Sequence, residues 1–222
     1  MSRILVKVGG AVSGDAADEI AALRDAGHEV IVVHGAGPQI SAEMERRGIE
    51  VRFVDGRRVT CADAIEVVRD AFYDVNDVLC AAIGAHAEPF FGDELGLPAE
   101  RVPELGLVGR PAPASPPEVE LALAQGKIPV VAPLAAGPLN VNADDAAAAL
   151  AVGLKADRIL FVTDVPGVLV AGGVASAIEA GEAERLIGAG HFQGGIVPKL
   201  LAAVQAARGG VRAEIGETAV LA

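Results

Sequence analysis

The sequence predicts an α/β protein, a three-layer α/β/α sandwich around a mainly parallel central sheet. Short apolar runs with the composition of buried strands alternate with longer helical patterns, the order that strand–helix–strand crossovers produce. Three of those runs end in glycine-containing turns: Lys7-Val8-Gly9-Gly10, His34-Gly35-Ala36-Gly37 and Thr163-Asp164-Val165-Pro166-Gly167. A parallel sheet gathers such turns at its carboxyl edge, where open α/β sheets bind ligands. The chain has 222 residues, 52% hydrophobic but only 3% aromatic, so its core is built from Ala, Val, Leu and Ile. That length suits one domain, and we expect two lobes within it, residues 1–130 and 131–222.

Element by element, Arg3–Val8 reads as a buried strand and Ala16–Ala26 as a helix stopped by Gly27. Val30–Val33 is a second strand, followed by a helix with Pro38 in its first turn and its end near Arg47-Gly48. Thr60-Cys61-Ala62-Asp63 has the form of a capping box opening a long helix to about Ile83. Residues 87–114, rich in Gly, Pro and charge, suggest a hairpin or surface excursion. Ser115 is expected to cap a helix with Pro116 near its first turn. Ile128–Ala132 and Arg158–Thr163 are strands, with the Ala-rich helix Asn142–Lys155 between them. A helix from Lys199 to Arg208 and strands near Val211–Ile215 and Thr218–Leu221 close the chain.

The net charge of −12 excludes a nucleic-acid surface, which needs a basic stripe to neutralise phosphates. Cys61 and Cys80 lack metal-ligand spacing and read as buried thiols in a reducing compartment. Only Arg3 precedes the first apolar run, and Lys7 interrupts it, so neither a signal peptide nor a membrane span is expected. A cytoplasmic protein follows from these features.

The candidate chemistry rests on four lysines among 18 basic residues. Lys127 and Lys155 sit near helix ends as ordinary surface charges, but Lys7 precedes Gly9-Gly10 and Lys199 follows Gly194-Gly195. Glycine turns let an anion approach backbone N–H groups, and the helix that follows adds the positive end of its dipole. A lysine there is a compact, mobile charge that can follow a moving phosphoryl group. In Asn140-Val141-Asn142-Ala143-Asp144-Asp145, Asn142 is a natural N-cap. Asn140 is placed to bind a carboxylate, and Asp144 to pair with Lys7 and Lys199. Arg58 is positioned to clamp an α-carboxylate, while Arg57 reads as solvent-facing. His28, His86 and His191 show no partner pattern, and His34 reads equally well as a satisfied strand-end histidine. No Ser-His-Asp, Cys-His or paired-carboxylate arrangement stands out. Phosphoryl transfer to a carboxylate needs none, because the acceptor is already ionised at neutral pH.

Six stretches carry a resemblance to a known family: Lys7–Ala11, Val33–Pro38, Arg58–Thr60, Asn140–Asp144, Thr163–Val168 and Gly194–Lys199. In this order they resemble the amino acid kinase family and, within it, the acetylglutamate kinase branch. The resemblance implies ATP-dependent phosphorylation of the side-chain carboxylate of N-acetyl-L-glutamate in arginine biosynthesis, with Mg²⁺ carried on the nucleotide. It implies that Lys7 and Lys199 stabilise the transition state and that Asp144 orients both. Gly9, Gly10, Ala36, Gly37, Arg58 and Asn140 would line the amino-acid site, and Asp164, Gly167 and Gly195 would contact the nucleotide. No residue is assigned to a protein-held metal. The first lobe would hold the amino acid and the dimer contact, the second the nucleotide.

Three features depart from the family pattern. Ala36 stands where the family has the middle of three glycines, the stretch from about Asn76 to Gly109 is short, and the chain ends at Ala222 soon after Gly209-Gly210. Without an N-terminal extension, the arginine-inhibited hexameric arrangement is not expected. A homodimer or dimer-based assembly is, because Ala62, Ile65, Val68, Phe72, Val75 and Leu79 give the long helix more apolar surface than one lobe needs. The alternatives are a sibling kinase acting on an aminoadipate derivative in lysine biosynthesis and a degenerate kinase fold serving as a ligand-binding module. A dinucleotide-dependent dehydrogenase is disfavoured, because Ile40 stands where its third fingerprint glycine belongs.

Overall fold

The computed structural model describes residues 1–10, 14–163 and 165–222. In chain order the first half runs β1 (Arg3–Val8), α1 (Gly14–Asp25), β2 (Glu29–His34), α2 (Gly37–Arg46), β3 (Phe53–Val54), β4 (Arg57–Arg58), α3 (Ala62–Ile83), β5 (Ala87–Phe91), β6 (Ala99–Arg101), β7 (Val108–Pro111) and α4 (Pro117–Ala124). The rest is β8 (Ile128–Ala132), β9 (Leu134–Ala135), β10 (Leu139–Val141), α5 (Ala143–Gly153), β11 (Arg158–Phe161), β12 (Leu169–Val170), β13 (Gly173–Val174), β14 (Ala177–Glu179), α6 (Ala180–Gly188), α7 (Ile196–Arg208), β15 (Arg212–Ile215) and β16 (Thr218–Leu221).

The main sheet has eight strands in the order β14-β16-β15-β11-β1-β2-β8-β5, and every adjacent pair is parallel except β15–β16. Buried on both faces, its central strands read as nearly continuous apolar runs. Strand alternation sorts β1: Ile4, Val6 and Val8 join Ile20 and Leu79 in one cluster, whereas Leu5 packs with α5 and α7 residues in another. Lys7 is in phase with Leu5, which aims it at the α5–α7 layer. A smaller sheet, β6-β7-β10-β9, flanks the first.

Helices α5 and α7 are faced with alanine: Ala146, Ala147, Ala148 and Ala151 on one, Ala202, Ala203 and Ala206 on the other, all in the main core. Small side chains let the two axes approach closely. The helices run parallel, since Asp144 meets Lys199 at their starts and Gly209 lies against Val152 at their ends, too close to admit a Cβ. Both positive dipole ends therefore point to the carboxyl edge of the sheet.

The sequence expectations need correction at five places. Residues 87–91 are the edge strand β5 of the main sheet, whereas the expected hairpin lies further on, where β6 and β7 pair antiparallel in the small sheet. Thr60 forms no capping box: α3 starts after Cys61 without a side-chain cap, and the Thr60 hydroxyl donates to the Arg58 carbonyl at 2.9 Å. Pro116, not Ser115, is the N-cap of α4, because Ser115 bonds Glu120 at 3.0 Å instead. Cys61 is exposed. Finally, Ile65, Val68, Phe72, Val75 and Leu79 are all buried within the chain, so that apolar stripe is consumed by the fold itself. No helix among the described residues is long and apolar enough to cross a membrane.

Candidate functional site

The carboxyl ends of β1 and β2 and the start of α5 enclose a cleft of about 290 Å³. Register explains the convergence. Lys7 pairs with Val33 and Phe161 on the neighbouring strands, and Val8 pairs with His34. The turns after β1 and β2 therefore leave the sheet side by side, joined by the Gly35 amide donating to the Val8 carbonyl at 3.1 Å. Gly10 lies so close to the second turn that a Cβ would stand 3.0 Å from the Ala36 Cα. Gln39 fixes the pair by donating to the Gly10 carbonyl at 2.5 Å.

Asn142 caps α5, its side-chain oxygen accepting the Asp144 and Asp145 amides at 2.9 and 3.1 Å. The cap holds Asp144 in the first helical turn, where one oxygen, Oδ1, receives Lys7 at 2.9 Å and Lys199 at 3.2 Å. All three side chains are about nine-tenths buried, at 9–11% exposure. Two ammonium groups on one carboxylate leave a net positive charge out of water, which an arriving anion would offset. Lys199 registers that excess: burial lowers its pKa first, the neighbouring Lys7 charge lowers it further, and Asp144 opposes both. Its ammonium also sits 5.6 Å from the centre of the Phe161 ring.

At the other end of the cleft Arg58 is buried with no counter-ion among the described residues. Its guanidinium donates to the Gly37 carbonyl at 2.9 Å and the Ser41 hydroxyl at 2.8 Å, approaches the Met44 sulfur at 3.4 Å and lies 4.6 Å from the Phe53 ring centre. Burial lowers its pKa, with no carboxylate opposing the shift. Asn140 donates to the Thr60 hydroxyl at 3.0 Å, which ties β10 to the residues after β4.

Of the residues proposed from sequence, Lys7, Gly10, Ala36, Gly37, Arg58, Asn140 and Asp144 line this one cleft, and Lys199 joins it through Asp144. Gly9 is half-buried in the adjoining turn. Ala36 needs no glycine, since its φ of −142° is open to any residue and its side chain belongs to the cluster of Ile40 and Met44. Gly167 and Gly195 lie outside the cleft lining. Gly167 is buried where a Cβ would meet the Thr218 hydroxyl at 2.6 Å, so packing alone requires it. Gly195 is the exposed N-cap of α7, three residues before Pro198 and four before Lys199. Asp164 falls outside the described residues.

His34 is fully buried. It takes a hydrogen bond from Asn76 at 3.1 Å and faces the Gly35 carbonyl at 3.4 Å, and burial lowers its pKa to about 4. It is a structural residue below the turn. Three participants escaped the sequence reading. Thr60 was absorbed into an apparent helix cap, and Phe53 lay in an unassigned segment. Arg57 is not solvent-facing: it binds Asp145 at 2.7 Å, a partner 88 residues away that no local pattern reveals.

The family model described as the amino acid kinase family matches residues 2–216. The acetylglutamate kinase of Rubrobacter xylanophilus is 42% identical over 97% of this chain and 88% of its own length. That of Solibacter usitatus is also 42% identical, over 95% and 88%. Among solved structures, smu.665 from Streptococcus mutans superposes with a TM-score of 0.88 at 29% identity, covering 99% of this chain and 98% of its own.

Proposed function

We infer the activity from one premise: the chain belongs to the amino acid kinase family. It is an acetylglutamate kinase-like phosphotransferase that moves the γ-phosphoryl group of ATP to the side-chain carboxylate of N-acetyl-L-glutamate. The observation that carries the mechanism is the sharing of one Asp144 oxygen by Lys7 and Lys199, at 2.9 and 3.2 Å, with Arg58 at the far end of the cleft and no counter-ion to it among the described residues.

In this reading Arg58 and Asn140 hold the acceptor's α-carboxylate, and the turns at Gly9-Gly10 and Ala36-Gly37 border the acceptor, with Gly10, Ala36 and Gly37 in the cleft wall. The ionised acceptor oxygen attacks the γ-phosphorus while the bond to the ADP oxygen breaks, so no proton has to be removed first. Negative charge spreads over the equatorial phosphoryl oxygens. Lys7 and Lys199 stabilise it from positions that Asp144 has already fixed, so little reorganisation is needed during the reaction. The donor's phosphates approach α7, where exposed Gly194 and Gly195 precede the first helical turn and leave open space around their backbone.

Mg²⁺ would arrive with the nucleotide and would offset negative charge on its phosphates. Asp144 is already taken up by two lysines, and no group of three or more His, Cys, Asp or Glu among the described residues is arranged to hold a metal. We assign residues 1–130 mainly to the acceptor and 131–222 mainly to the nucleotide, with Asn140 and Asp144 crossing that division. Asp164, Gly167 and Gly195 are assigned to the nucleotide side, Gly167 through its backbone. We place the enzyme in the cytoplasm as a homodimer or dimer-based assembly. Light scattering that gives a monomer mass would exclude the dimer.

A hydroxamate assay for acyl phosphate, with ATP, Mg²⁺ and a panel of acidic amino acids, tests the activity. Turnover with N-acetyl-L-glutamate is expected. Turnover only with an aminoadipate derivative, or with no acceptor, would overturn the assignment.

A further inference from the structure

We propose that the Arg57–Asp145 ion pair is a latch that holds the β3–β4 hairpin against the cleft and so sets acceptor affinity. Both are positioning residues. The proposal rests on the acceptor reading above and adds a control element to that site.

The hairpin supplies Phe53, Gly56, Arg57 and Arg58 to the cleft wall, yet has little hold of its own. Its strands are two residues each, far below the length at which a hairpin is stable alone. Its apolar residues do not anchor it either, since Phe53 is 52% and Val54 39% exposed. On one side Arg58 holds β4 to α2 through the Gly37 carbonyl and the Ser41 hydroxyl. Toward α5 and α7 the attachments among the described residues are few: Gly56 packs near Pro198, its carbonyl accepts Asn142 at a long 3.4 Å, and Arg57 binds Asp145 at 2.7 Å. Of these, the Arg57 bond is the charged and short one, and it ends on α5 one residue from Asp144.

Asp145 is free for this task. Asn142 caps the helix, Asp144 receives the two lysines, and the Asp145 side chain is 12% exposed with Arg57 on its Oδ2. The arrangement has a cost: the Arg57 Nε is buried without a hydrogen-bond partner. Burial raises the Asp145 pKa, the Arg57 charge opposes that rise, and Asp144 and Arg110 are the other charges that act on it.

If the latch is cut, the hairpin spends more time open and acceptor affinity falls in proportion to the closed fraction. A hairpin closed one-tenth of the time would raise the acceptor KM about tenfold. Turnover of the closed complex is preserved, because Arg57 touches neither lysine nor Asp144 in the described contacts.

The test compares Arg57→Gln, Asp145→Asn and the double variant by steady-state kinetics with N-acetyl-L-glutamate varied at saturating ATP. Hydrogen exchange at residues 52–59 is followed in the same proteins without substrate. Each single variant is expected to raise KM about tenfold with kcat within about twofold, and the double variant to be no worse than either. Exchange should quicken at 52–59 and stay unchanged at 146–151. A KM rise confined to Arg57→Gln would place Arg57 on the acceptor itself and overturn the latch, as would additive effects or unchanged exchange. A matching fall in kcat with Asp145→Asn would assign Asp145 to the reacting centre instead. Wild-type protein that makes no acyl phosphate would sink the functional reading alone, because exchange decides the latch without turnover. Should Asp145→Asn fail to fold, Arg57→Lys, which keeps the charge with shorter reach, is expected to lie between wild type and Arg57→Gln in both KM and exchange, and a KM rise without faster exchange at 52–59 would count against the latch.

Discussion

The two ends of the cleft handle positive charge in opposite ways. At the α5–α7 end two lysines share one carboxylate oxygen, so their directions are set before any ligand arrives. At the β4 end Arg58 is equally sunk into the protein but faces a carbonyl, a hydroxyl and a thioether, none of which cancels its charge. A pre-paired charge suits a role in which position matters during the reaction. An unpaired one suits a role in which the ligand brings the counter-charge, so that binding the right anion relieves a standing desolvation cost. The contrast separates turnover from affinity, and substitutions can test that separation.

The largest effect is expected from Asp144→Asn. The amide removes the negative charge between two buried ammonium groups, and breaking a buried pair costs about 3–5 kcal/mol. Both thermal stability and kcat should fall, kcat by more than in either lysine variant. A protein of wild-type stability with unchanged turnover would show that the carboxylate does not organise the lysines.

Next in size, Lys7→Arg and Lys199→Arg keep the charge but change its width and direction. Each should lower kcat on the order of 10²-fold with little change in either KM, since a misplaced stabiliser acts mainly in the transition state. Steady-state kinetics at saturating substrates measures this. A variant whose KM rises while kcat holds would move that lysine to the binding side of the comparison.

The opposite signature belongs to Arg58→Ala. Removing one charged hydrogen-bond partner costs about 2 kcal/mol in kcat/KM, roughly thirtyfold, carried mostly by the acceptor KM and hardly by the KM for ATP. An acceptor lacking the α-carboxylate should show the same loss with wild type and almost no further loss with the variant. If the two losses add, the α-carboxylate binds elsewhere.

How far the sequence foresaw this site depends on the kind of signal each residue leaves. Lys7, Asn142 and Asp144 sit where strand and helix patterns end, and local rules for strand exits and N-caps locate them. Lys199 was also legible, although α7 starts three residues earlier than its pattern suggests, at Ile196. The central strands could be read because burial on both faces makes them uniformly apolar. What local reasoning missed depends on tertiary pairing. β5 is a strand because it lies against β8, and Thr60 leaves its capping role because Asn140 and the Arg58 carbonyl claim its hydroxyl. β14 and α6 went unassigned for a related reason, since β14 pairs with β16, which follows it by about forty residues and supplies its one ladder among the described residues.

The smallest effect concerns what lies beneath the acceptor end, where a second cation would blur the contrast. His34 precedes the turn whose Gly37 carbonyl holds Arg58, and burial keeps its imidazole neutral by lowering its pKa from 6.5 to about 4. A depressed folded-state pKa contributes stability that is complete above the unfolded value and is lost as pH falls toward the folded one. Between these values the unfolded chain binds a proton that the folded chain refuses. Lowering the pH from about 6.5 to about 5.5 should therefore cost about 1 kcal/mol through this residue alone, with further loss until the folded value is reached. His34→Gln has no titrating ring, so its urea-unfolding free energy should fall by about 1 kcal/mol less than wild type over that interval. Equal losses in the two proteins would mean that His34 accepts a proton in the folded state, and that the acceptor end tolerates a second positive charge below Arg58.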